Sequence, residues 1–328
     1  MAFHFEGVTY EGDESETVLD ALLRHNIALP HSCCKGLCQV CLVRNVGIPP
    51  PAVTQIGLRD TLQHQGYFLA CQCPVIDGLD IRLPRTTDVF CRAVVAKKEQ
   101  LSGDVYRIEL IPENAIIYHS GQFINIRRED GVTRSYSIAS VADVDSAIEI
   151  HIQRRQNGLM SQWMCDQIQI GDHLDIDGPN GTCFYLPGQA LQPLLLIGTG
   201  TGLSPLLGIV RDALLKGHSG PIHLYHGSRS LAGLYAREKL MALAASHSNL
   251  HIYFCVSGEA YDGDFLQGMA SKHAFDQHSD LEKYRVYLCG APEMVNSAKK
   301  TAYLQGAHIK NIYADPFENK DIRAVPRG

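Results

Sequence analysis

The sequence predicts a multidomain chain in which a small α+β domain and a small antiparallel barrel precede an α/β domain. Three observations support this prediction. The chain has 328 residues, which is more than one ordinary core needs. Short strands with period-two alternation fill its middle, and strands alternate with helices after about residue 188. We therefore expect domains at residues 1–86, 88–187 and 188–328.

The first domain is predicted to be a small sheet with one packed helix. Residues 3–10 alternate between apolar and polar side chains, as a hairpin does. Ser15 or Thr17 can cap a helix that ends before Pro30. The apolar face of this helix is made by Val18, Leu19, Leu22 and Leu23. Two further short strands are expected within YFLACQCPV and LDIRLP.

Composition excludes several classes of protein. The net charge is −6 and no stripe of basic residues is present, which argues against a nucleic-acid partner. The N-terminus has neither a basic leader nor an apolar stretch, and the longest apolar run is broken by glycines and a proline. We therefore expect a cytoplasmic protein without a membrane span. Disulfides are disfavoured there, and the 11 cysteines are an odd number.

Four of these cysteines lie in the segment HSCCKGLCQVC. Cys33, Cys38 and Cys41 have the spacing C-x4-C-x2-C, and Cys71 follows after 29 intervening residues. This is the plant-type spacing of the four thiolates that hold a 2Fe–2S cluster. A structural zinc site is the alternative, but it needs a second C-x2-C pair, and Cys71 and Cys73 are one residue too close. The spacing favours the cluster.

The sequence also makes predictions for the loop backbone at Gly36 and for the two remaining cysteines near the ligands, Cys34 and Cys73. Two irons need thiolates on one side of a tight loop whose backbone N–H groups point at the sulfurs. Gly36 supplies a residue that tolerates positive φ there. Cys34 and Cys73 are left as spare thiols, each a small side chain beside a ligand. Alternatively, Cys34 substitutes for a neighbouring ligand or reacts with oxidants.

PHSCCKGLCQVC and FLACQC resemble the N-terminal ferredoxin module of the bacterial oxygenase reductases, such as those of naphthalene dioxygenase, toluene monooxygenase and phenol hydroxylase. The resemblance implies a β-grasp fold for the first domain and a 2Fe–2S cluster held by Cys33, Cys38, Cys41 and Cys71. One position departs from the family pattern. Gln39 stands where the family usually has glycine, so the loop must accommodate a side chain beside the cluster.

The middle domain contains an arginine, an aromatic residue and a serine in the strand RSYSIAS. Arg134 can contact phosphate oxygens, and Tyr136 offers a face to a flat ring. The N–H groups near Gly158 and Ser161, at a helix start, can bind the same phosphates. By itself this pattern also fits a plain exposed strand.

RSYS at 134–137 and GLMS at 158–161 are similar to the flavin motifs of the ferredoxin–NADP reductase superfamily. The resemblance implies an antiparallel six-stranded β-barrel that binds FAD. By this likeness Arg134 and Ser161 hold the pyrophosphate, Tyr136 packs on the isoalloxazine ring, and Ser137 hydrogen-bonds near N5. The implied FAD contacts are Arg134, Ser135, Tyr136, Ser137, the backbone around His151 and Ile152, and Gly158, Met160 and Ser161.

The third domain is predicted to be a doubly wound parallel sheet, whose ligands bind at the carboxyl ends of the strands. Its turn GTGTGLSP is a poor match to the dinucleotide fingerprint, because Gly202 comes one residue early and no acidic residue follows about 20 positions later. The turn is closer to G-T-G-x-x-P, which the same superfamily uses. CGAPEMV and DPF resemble its other two signatures.

The resemblance implies that Cys289 approaches the nicotinamide C4 and that Phe317 covers the flavin. Cys289 is otherwise a buried thiol at a strand end. Asp315 replaces the family's glutamate, and Arg229 either meets a 2′-phosphate or stacks on adenine. NADH is favoured, with NADPH as the alternative. The implied nucleotide contacts are Gly200, Thr201, Gly202, Pro205, Ser228, Arg229, Cys289 and Gly290, and the implied catalytic group is Ser137, Cys289, Asp315 and Phe317.

These parts predict an NAD(P)H-dependent iron–sulfur flavoprotein. Electrons would pass from NADH through FAD to the cluster and on to the oxygenase component of an aromatic dioxygenase or a monooxygenase. The alternatives are a stand-alone flavin, quinone or ferric reductase, a reductase for a deoxysugar dehydratase, and a redox sensor without turnover. We expect a monomer whose acceptor protein docks near the ferredoxin domain, where nine acidic residues stand against six Lys and Arg within 1–86.

Overall fold

The structure is a computed structural model that describes residues 1–13, 15–58, 60–84, 90–258 and 265–317. The predicted boundary between the first two domains, at 86 to 88, lies outside the described residues, as does the end of the third domain. Within the described ranges three sheets are present, of five, six and six strands.

The first domain is a mixed five-stranded sheet with one main helix. Its strands lie in the order β2-β1-β5-β3-β4, with β1 and β2 forming the predicted antiparallel hairpin and β1 running parallel to β5. Single turns of 3-10 helix cover residues 52–55 and 70–72. The elements are β1 (Ala2–Phe5), β2 (Val8–Glu11), α1 (Val18–Arg24), β3 (Leu42–Asn45), α2 (Asp60–His64), β4 (Tyr67–Leu69) and β5 (Asp80–Arg82).

Helix α1 confirms the predicted cap and apolar face. The Thr17 hydroxyl accepts a hydrogen bond from the Asp20 N–H at 3.2 Å, so Thr17 rather than Ser15 caps the helix. Val18, Leu19 and Leu22 are buried in the domain core, and Leu23 packs at its edge. The same core contains Cys41 and Cys71, so the packing of α1 supports the cysteine loop from beneath.

The second domain is an antiparallel barrel of six strands in the order β10-β7-β6-β11-β8-β9. A bridge between Ile138 and Ile150 closes the barrel by joining the end of β9 to β10. A short helix, α3, runs directly into a π-helical turn at residues 163–167. The elements are β6 (Cys91–Gln100), β7 (Val105–Pro112), β8 (Phe123–Arg127), β9 (Thr133–Ser137), β10 (Ile148–Gln153), α3 (Leu159–Gln162) and β11 (His173–Asn180).

The third domain is a parallel six-stranded sheet in the order β15-β14-β13-β12-β16-β17. Helices α4 and α5 pack on one face and α6 and α7 on the other, which confirms the doubly wound arrangement. The elements are β12 (Leu194–Thr199), α4 (Leu203–Leu215), β13 (Ile222–Ser228), α5 (Arg237–Ser246), β14 (Leu250–Val256), β15 (Leu266–Gln267), α6 (Ala270–Gln277), β16 (Arg285–Gly290), α7 (Pro292–Leu304) and β17 (Ile312–Pro316).

Two details of the third domain differ from the sequence prediction. The sequence predicts a helix over the whole segment LAGLYAREKLMALAA, but the helix begins only at Arg237. Residues 231–233 form a 3-10 turn, and Ala236 has a φ of +57°, which a right-handed helix does not allow. Strands β15 and β17 and helix α6 were also not anticipated. The barrel packs against this domain through Val105, Cys183 and Tyr185.

Candidate redox site

The backbone of the cysteine loop donates hydrogen bonds to the sulfurs of two predicted cluster ligands. The N–H groups of Lys35 and Cys38 donate to Cys33 Sγ at 3.3 and 3.4 Å, and the N–H of Cys33 donates to Cys38 Sγ at 3.5 Å. The backbone therefore points at the sulfurs as predicted. Gly36 has a φ of +76°, and a Cβ there would lie 3.0 Å from Gln72 Cγ, so the turn favours glycine.

The four predicted ligands associate in two pairs. The thiols of Cys33 and Cys38 are hydrogen-bonded to each other, and so are those of Cys41 and Cys71. All eleven cysteines lie within the described residues, and none of them forms a disulfide. In the described part of the chain, no group of three or more His, Cys, Asp or Glu side chains is arranged to hold a metal ion as it stands. Two pairs of thiols are the grouping that a cluster of two irons with four cysteine ligands needs.

The electrostatics of the loop favour a thiolate at one member of each pair, Cys33 and Cys71. In contrast, the hydrogen bond within the pair and burial raise the pKa of Cys38 and of Cys41. Hydrogen bonds from Cys38 and from backbone N–H groups lower the pKa of Cys33 to about 5, although burial opposes them. The pKa of Cys71 falls to about 6, because the thiol of Cys41 and the amide of Gln72 donate to its sulfur. Since a metal binds the thiolate and not the thiol, this donor set fits a 2Fe–2S cluster.

The two spare thiols have different surroundings. Cys73 is fully buried and its Sγ lies 3.4 Å from the Pro74 carbonyl, and burial raises its pKa to about 12. Such a thiol is inert. Cys34 is half-buried and has a φ of +50°. Its side chain packs against the domain core. Whether it is a spare thiol, a substitute ligand or a site of oxidation stays a prediction.

Strand β9 separates its motif residues onto two faces. Arg134 and Tyr136 are paired across the sheet with Ile126 and Ile124, so they share one face, and Tyr136 packs beside the barrel core. Ser135 and Ser137 lie on the opposite face. Ser135 is one of the predicted FAD contacts, yet its hydroxyl donates to Asn125 Oδ1 at 2.7 Å. Its side chain is therefore engaged away from the face that Tyr136 occupies.

The GLMS segment lies where α3 begins. Ser161 Oγ donates to the Gly158 carbonyl at 3.3 Å and accepts from the Arg155 N–H at 3.1 Å, which tightens the turn. Met160 is buried in the barrel core. Helix α3 has only four residues before the π turn, so its dipole is smaller than a longer helix would supply.

Cysteine 289 lies at the carboxyl end of β16, against the turn GTG. Gly200 to Gly202 form a 3-10 turn, and a Cβ on Gly202 would come within 2.2 Å of the Cys289 carbonyl oxygen. Cys289 is fully buried, and its Sγ lies 3.8 Å from Cys183 Sγ. Burial raises the pKa of the Cys289 thiol well above its ordinary value, so it is a neutral thiol. Pro205 is also buried, within the first turn of α4.

The barrel and the nucleotide domain meet at Ser137 and Asp315. The Ser137 hydroxyl donates to Asp315 Oδ2 at 2.7 Å, and Ser204 Oγ donates to the Ser137 carbonyl at 3.1 Å. Burial raises the pKa of Asp315 to about 6, although the hydrogen bond from Ser137 opposes the rise. Phe317 lies two residues after Asp315, and its N–H donates to the Gly290 carbonyl at 2.8 Å. The structure thus brings Ser137 of β9 into contact with Asp315 of β17 and holds the backbone of Phe317 at the end of β16.

The ring of His151 does not face these groups. Its Nε2 lies 2.8 Å from Glu149 Oε1 and its Nδ1 lies 3.0 Å from the Tyr235 hydroxyl. Burial opposes ionisation of Glu149, but His151 and the charges of Lys239 and Arg107 lower its pKa to about 2. The carboxylate accepts only, so Nε2 carries the proton and Nδ1 accepts from Tyr235. Ile152 points into the barrel core, so only the backbone of these two residues is left to face a cofactor.

A cleft of about 820 Å³ lies between the barrel and the nucleotide domain beside this network. Its charged lining includes Glu99, Arg107, Glu149, Arg237 and Lys239. His151, one of the predicted FAD contacts, lines the cleft, but no residue of the RSYS, GLMS or GTG segments does. The cleft is therefore distinct from the contact between Ser137 and Asp315.

Ser228 ends β13 and Arg229 follows it, at the same edge of the sheet as the GTG turn. Ser228 Oγ accepts from the Ser230 N–H at 3.4 Å, and the Arg229 carbonyl accepts from the Gly258 N–H at 2.9 Å. The Arg229 side chain is exposed. Both residues therefore lie at the carboxyl edge of the sheet, where a nucleotide ligand of this fold class binds.

One functional contact was not foreseen. Asn125, on β8, donates through Nδ2 to the Cys38 carbonyl at 3.0 Å and to Asp177 Oδ2 at 3.1 Å, and so it joins the barrel to the cysteine loop. In the sequence it lies inside the alternating strand GQFINIRR. A polar residue at an outward position of a strand carries no signal that another domain covers it.

Three family models match the chain in succession. They are the 2Fe-2S iron-sulfur cluster binding domain at residues 3–75, the oxidoreductase FAD-binding domain at 92–185 and the oxidoreductase NAD-binding domain at 196–300. A curated relative from Ralstonia sp., the ferredoxin–NAD(P)(+) reductase component of naphthalene 1,2-dioxygenase/salicylate 5-hydroxylase systems, is 30% identical over 319 residues, covering 93% of this chain and 94% of the relative. The chain belongs to the family of oxygenase-system ferredoxin–NAD(P)+ reductases.

The reductase is also similar to a second curated protein and to a solved structure. The corresponding component of the naphthalene 1,2-dioxygenase system of Pseudomonas putida is 29% identical over 307 residues, covering 92% of this chain and 93% of the relative. Among solved structures, the Amycolatopsis cytochrome P450 reductase GcoB superimposes with a TM-score of 0.70 at 27% identity, covering 96% of this chain and 98% of that one. The reductase is therefore an iron–sulfur flavoprotein oxidoreductase whose cofactors are a 2Fe–2S cluster, FAD and a nicotinamide nucleotide.

The described residues contain no helix that is both long and apolar enough to cross a membrane. The matched segments lie within the three predicted domains, while the exact domain boundaries stay predictions.

Proposed function

We propose that the reductase carries electrons from NADH through FAD to a 2Fe–2S cluster held by Cys33, Cys38, Cys41 and Cys71, and on to the oxygenase component of a mono- or dioxygenase system. The observation that supports this order is the position of β9. Ser135 on this strand reaches the cysteine loop through Asn125, while Ser137 contacts Asp315 of the nucleotide domain. The flavin motif therefore lies between the two other domains.

The order of the domains suits the chemistry of the cofactors. When bound, FAD accepts a hydride from the nicotinamide and releases its electrons singly to the cluster, so the flavin has to lie between the other two. In this proposal the protein binds and orients the three groups. The cysteine loop supplies thiolates and N–H donors to the sulfurs, and the turn at Gly200 to Gly202 lets a nucleotide approach the end of β16.

Individual side chains have separate proposed roles. Arg134 and Ser161 bind the FAD pyrophosphate, and Tyr136 packs on the flavin ring. Ser137 holds a hydrogen bond near the flavin, and Asp315 fixes the direction of the Ser137 hydroxyl through their 2.7 Å contact. Cys289 acts as a neutral, buried surface against the nicotinamide. Phe317, held by Gly290, covers the ring from the opposite domain.

The relay is tested by replacing one predicted ligand. Cys71→Ser is expected to abolish NADH-dependent reduction of cytochrome c, because the electrons can no longer leave through the cluster. Reduction of ferricyanide, which takes electrons from the flavin, should persist. Cys73→Ser is the matched control, since Cys73 lies two residues away and is not a predicted ligand. Undiminished cytochrome c reduction in Cys71→Ser would show a stand-alone flavin reductase.

We further propose that the acceptor protein docks on an exposed apolar surface beside the cysteine loop. This docking surface consists of Leu37, Val53 and Ile56, whose side chains are 63%, 63% and 67% exposed. Residues 52–55 pack against the turn that carries Cys71, and Gln39 Nε2 donates to the Gly57 carbonyl at 2.9 Å. Clustered exposed apolar side chains are typical of protein contact sites.

Ile56→Gln tests the docking surface. We expect this variant to raise KM for the oxygenase component several-fold while the rate with ferricyanide is unchanged. Leu191→Gln is the control, because Leu191 is 78% exposed but lies in the nucleotide domain. An unchanged KM in Ile56→Gln would place docking elsewhere.

We propose NADH as the physiological donor, with NADPH as the alternative. The relevant measurement is kcat/KM for both nucleotides in the wild type and in Arg229→Ala. A higher value for NADH, little changed in Arg229→Ala, supports the proposal. A preference for NADPH that is lost in Arg229→Ala would reverse it. The monomeric state and the cytoplasmic location stay predictions of the sequence.

A further inference from the structure

We propose that Asn125 is a positioning residue for electron transfer: its side-chain amide holds the cysteine loop against the strand that carries the flavin motif. The proposal rests on the proposed function, because it concerns the step between flavin and cluster. Four observations support it: the burial of Asn125, the complete use of its hydrogen-bonding groups, the identity of its partners and the constraint on the loop from a second direction.

The burial of Asn125 depends on the ferredoxin domain. Ile124 and Ile126, its neighbours on β8, point into the barrel core, so Asn125 points outward. An outward-facing side chain of a barrel is normally in water, yet Asn125 is only 1% exposed. Its contact with the Cys38 carbonyl shows that the cysteine loop helps to cover it. The loop and the barrel are thus in direct contact at this side chain.

Every polar atom of the Asn125 side chain is engaged. Nδ2 has two protons, which go to the Cys38 carbonyl at 3.0 Å and to Asp177 Oδ2 at 3.1 Å. Oδ1 accepts from the Ser135 hydroxyl at 2.7 Å. A flipped amide would place its oxygen against a carbonyl and a carboxylate, both of which are acceptors. The network therefore fixes the orientation of the amide.

The partners of Asn125 belong to the two cofactor-binding segments. Cys38 is a predicted cluster ligand, and its own N–H donates to Cys33 Sγ. Ser135 is the residue between Arg134 and Tyr136 in the flavin motif. Asn125 and Ser135 are directly paired across β8 and β9. A hydrogen-bonded connection between the two segments therefore runs from Ser135 through Asn125 to Cys38.

The loop is also held from a second direction. The peptide whose carbonyl Asn125 binds joins Cys38 to Gln39, and Gln39 has a φ of +57° and donates to the Gly57 carbonyl. Gln39 ties the loop to the ferredoxin domain itself, whereas Asn125 ties it to the barrel. Loss of Asn125 should therefore loosen the loop toward the flavin without releasing it from its own domain.

Asn125→Ala in the full chain with both cofactors bound tests the proposal. Removing a buried hydrogen-bond donor should speed amide exchange in residues 32–42 by about tenfold. Cytochrome c reduction, which needs the cluster, should fall several-fold relative to ferricyanide reduction. A side chain with a merely structural role would lower both rates together. Asn180→Ala is the matched control, because Asn180 Nδ2 also approaches Asp177 Oδ2, at 3.5 Å, but makes no hydrogen bond to the cysteine loop within the described residues.

An unchanged ratio of the two rates in Asn125→Ala, with exchange in residues 32–42 equal to the wild type, would overturn the proposal. So would an equal fall of the ratio in Asn180→Ala. If Asn125→Ala does not fold, the same measurements are made on Asn125→Asp, which keeps the size and the acceptor for Ser135 but loses both donors. The proposed function is tested separately by cytochrome c reduction in Cys71→Ser. If Cys71→Ser no longer reduces cytochrome c but Asn125→Ala behaves like the wild type, only the positioning role of Asn125 is rejected.

Discussion

The two ends of the outward face of β9 make contacts of opposite electrostatic character. Toward the cysteine loop, Ser135 and Asn125 form a bridge whose contact with the loop carbonyl is a neutral amide. Toward the nucleotide domain, Ser137 meets Asp315, a carboxyl group whose pKa burial raises to about 6. The amide cannot titrate near neutral pH, whereas the carboxyl group can. The pH sensitivity of the reductase should therefore lie where electrons enter and not where they leave.

This difference separates two kinds of defect. A change at Ser137 or Asp315 should slow reduction of the flavin and affect every acceptor alike. A change at Asn125 should affect only acceptors that depend on the cluster. The ratio of cytochrome c to ferricyanide reduction distinguishes the two ends.

Among the changes at Ser137 and Asp315, Ser137→Ala should have the largest effect on the rate of flavin reduction. In the proposed role the Ser137 hydroxyl lies beside the flavin ring, so its loss is expected to slow flavin reduction by NADH by roughly a hundredfold. The measurement is anaerobic stopped-flow absorbance of the bound flavin. The ratio of cytochrome c to ferricyanide reduction should stay at the wild-type value. A lower ratio would mean that Ser137 also affects electron transfer from the flavin to the cluster.

Asp315→Asn should change how stability depends on pH. The pKa of Asp315 is higher in the folded protein than in the unfolded chain, so the folded state binds its proton more tightly. Its contribution to stability is present at low pH and is lost as pH rises through about 6. Thermal unfolding of the wild type and Asp315→Asn should therefore differ between pH 5 and pH 8. We expect the stability of Asp315→Asn relative to the wild type to be higher at pH 8 than at pH 5. A difference in stability that does not change with pH would contradict a buried carboxyl group with a raised pKa.

Gln39→Gly should have the smallest effect. Glycine removes the strain of a side chain at positive φ, which costs about 1 kcal/mol, but it also removes the hydrogen bond to the Gly57 carbonyl, worth about the same. The free energy of unfolding should therefore change by less than about 1 kcal/mol in chemical denaturation. Amide exchange near residue 57 should increase, because the loop loses that tie. A large loss of cluster content would show that Gln39 shapes the ligand geometry.

The cluster and the fold were predictable because local patterns specify them. The spacing of Cys33, Cys38, Cys41 and Cys71 indicates a cluster by itself, and Gly36 was expected at positive φ. Thr17 was one of two candidates for the cap of α1. Each of these features depends on residues close in sequence or on a spacing that chemistry constrains, so one sequence is enough to find them.

Contacts between domains were not predictable in the same way. Nothing in the sequence marks Asn125 as the residue that meets Cys38, since the two lie 87 positions apart. The same holds for His151 and Tyr235, whose side chains are hydrogen-bonded because the barrel packs against the nucleotide domain. The late start of α5 has a backbone cause, because Ala236 lies in a left-handed conformation that periodicity does not reveal.

The position of Gly202 explains why the turn GTGTGLSP matches the dinucleotide fingerprint poorly. Gly202 comes one residue early for the dinucleotide fingerprint, but its position is set by the Cys289 carbonyl, which leaves no room for a Cβ. The glycine is required because the turn after β12 lies directly against the backbone at the end of β16. The roles of Ser228 and Arg229 depend on a bound nucleotide and stay proposals.

The central claim is that electrons from NADH cross the flavin and reach the cluster. Its most direct test is anaerobic addition of NADH to the purified, fully loaded reductase, followed by optical and electron paramagnetic resonance spectroscopy of the same sample. The account predicts that the flavin absorbance is bleached and that a paramagnetic, reduced 2Fe–2S signal develops. A bleached flavin beside a cluster that stays oxidised, or a sample without iron, would contradict it.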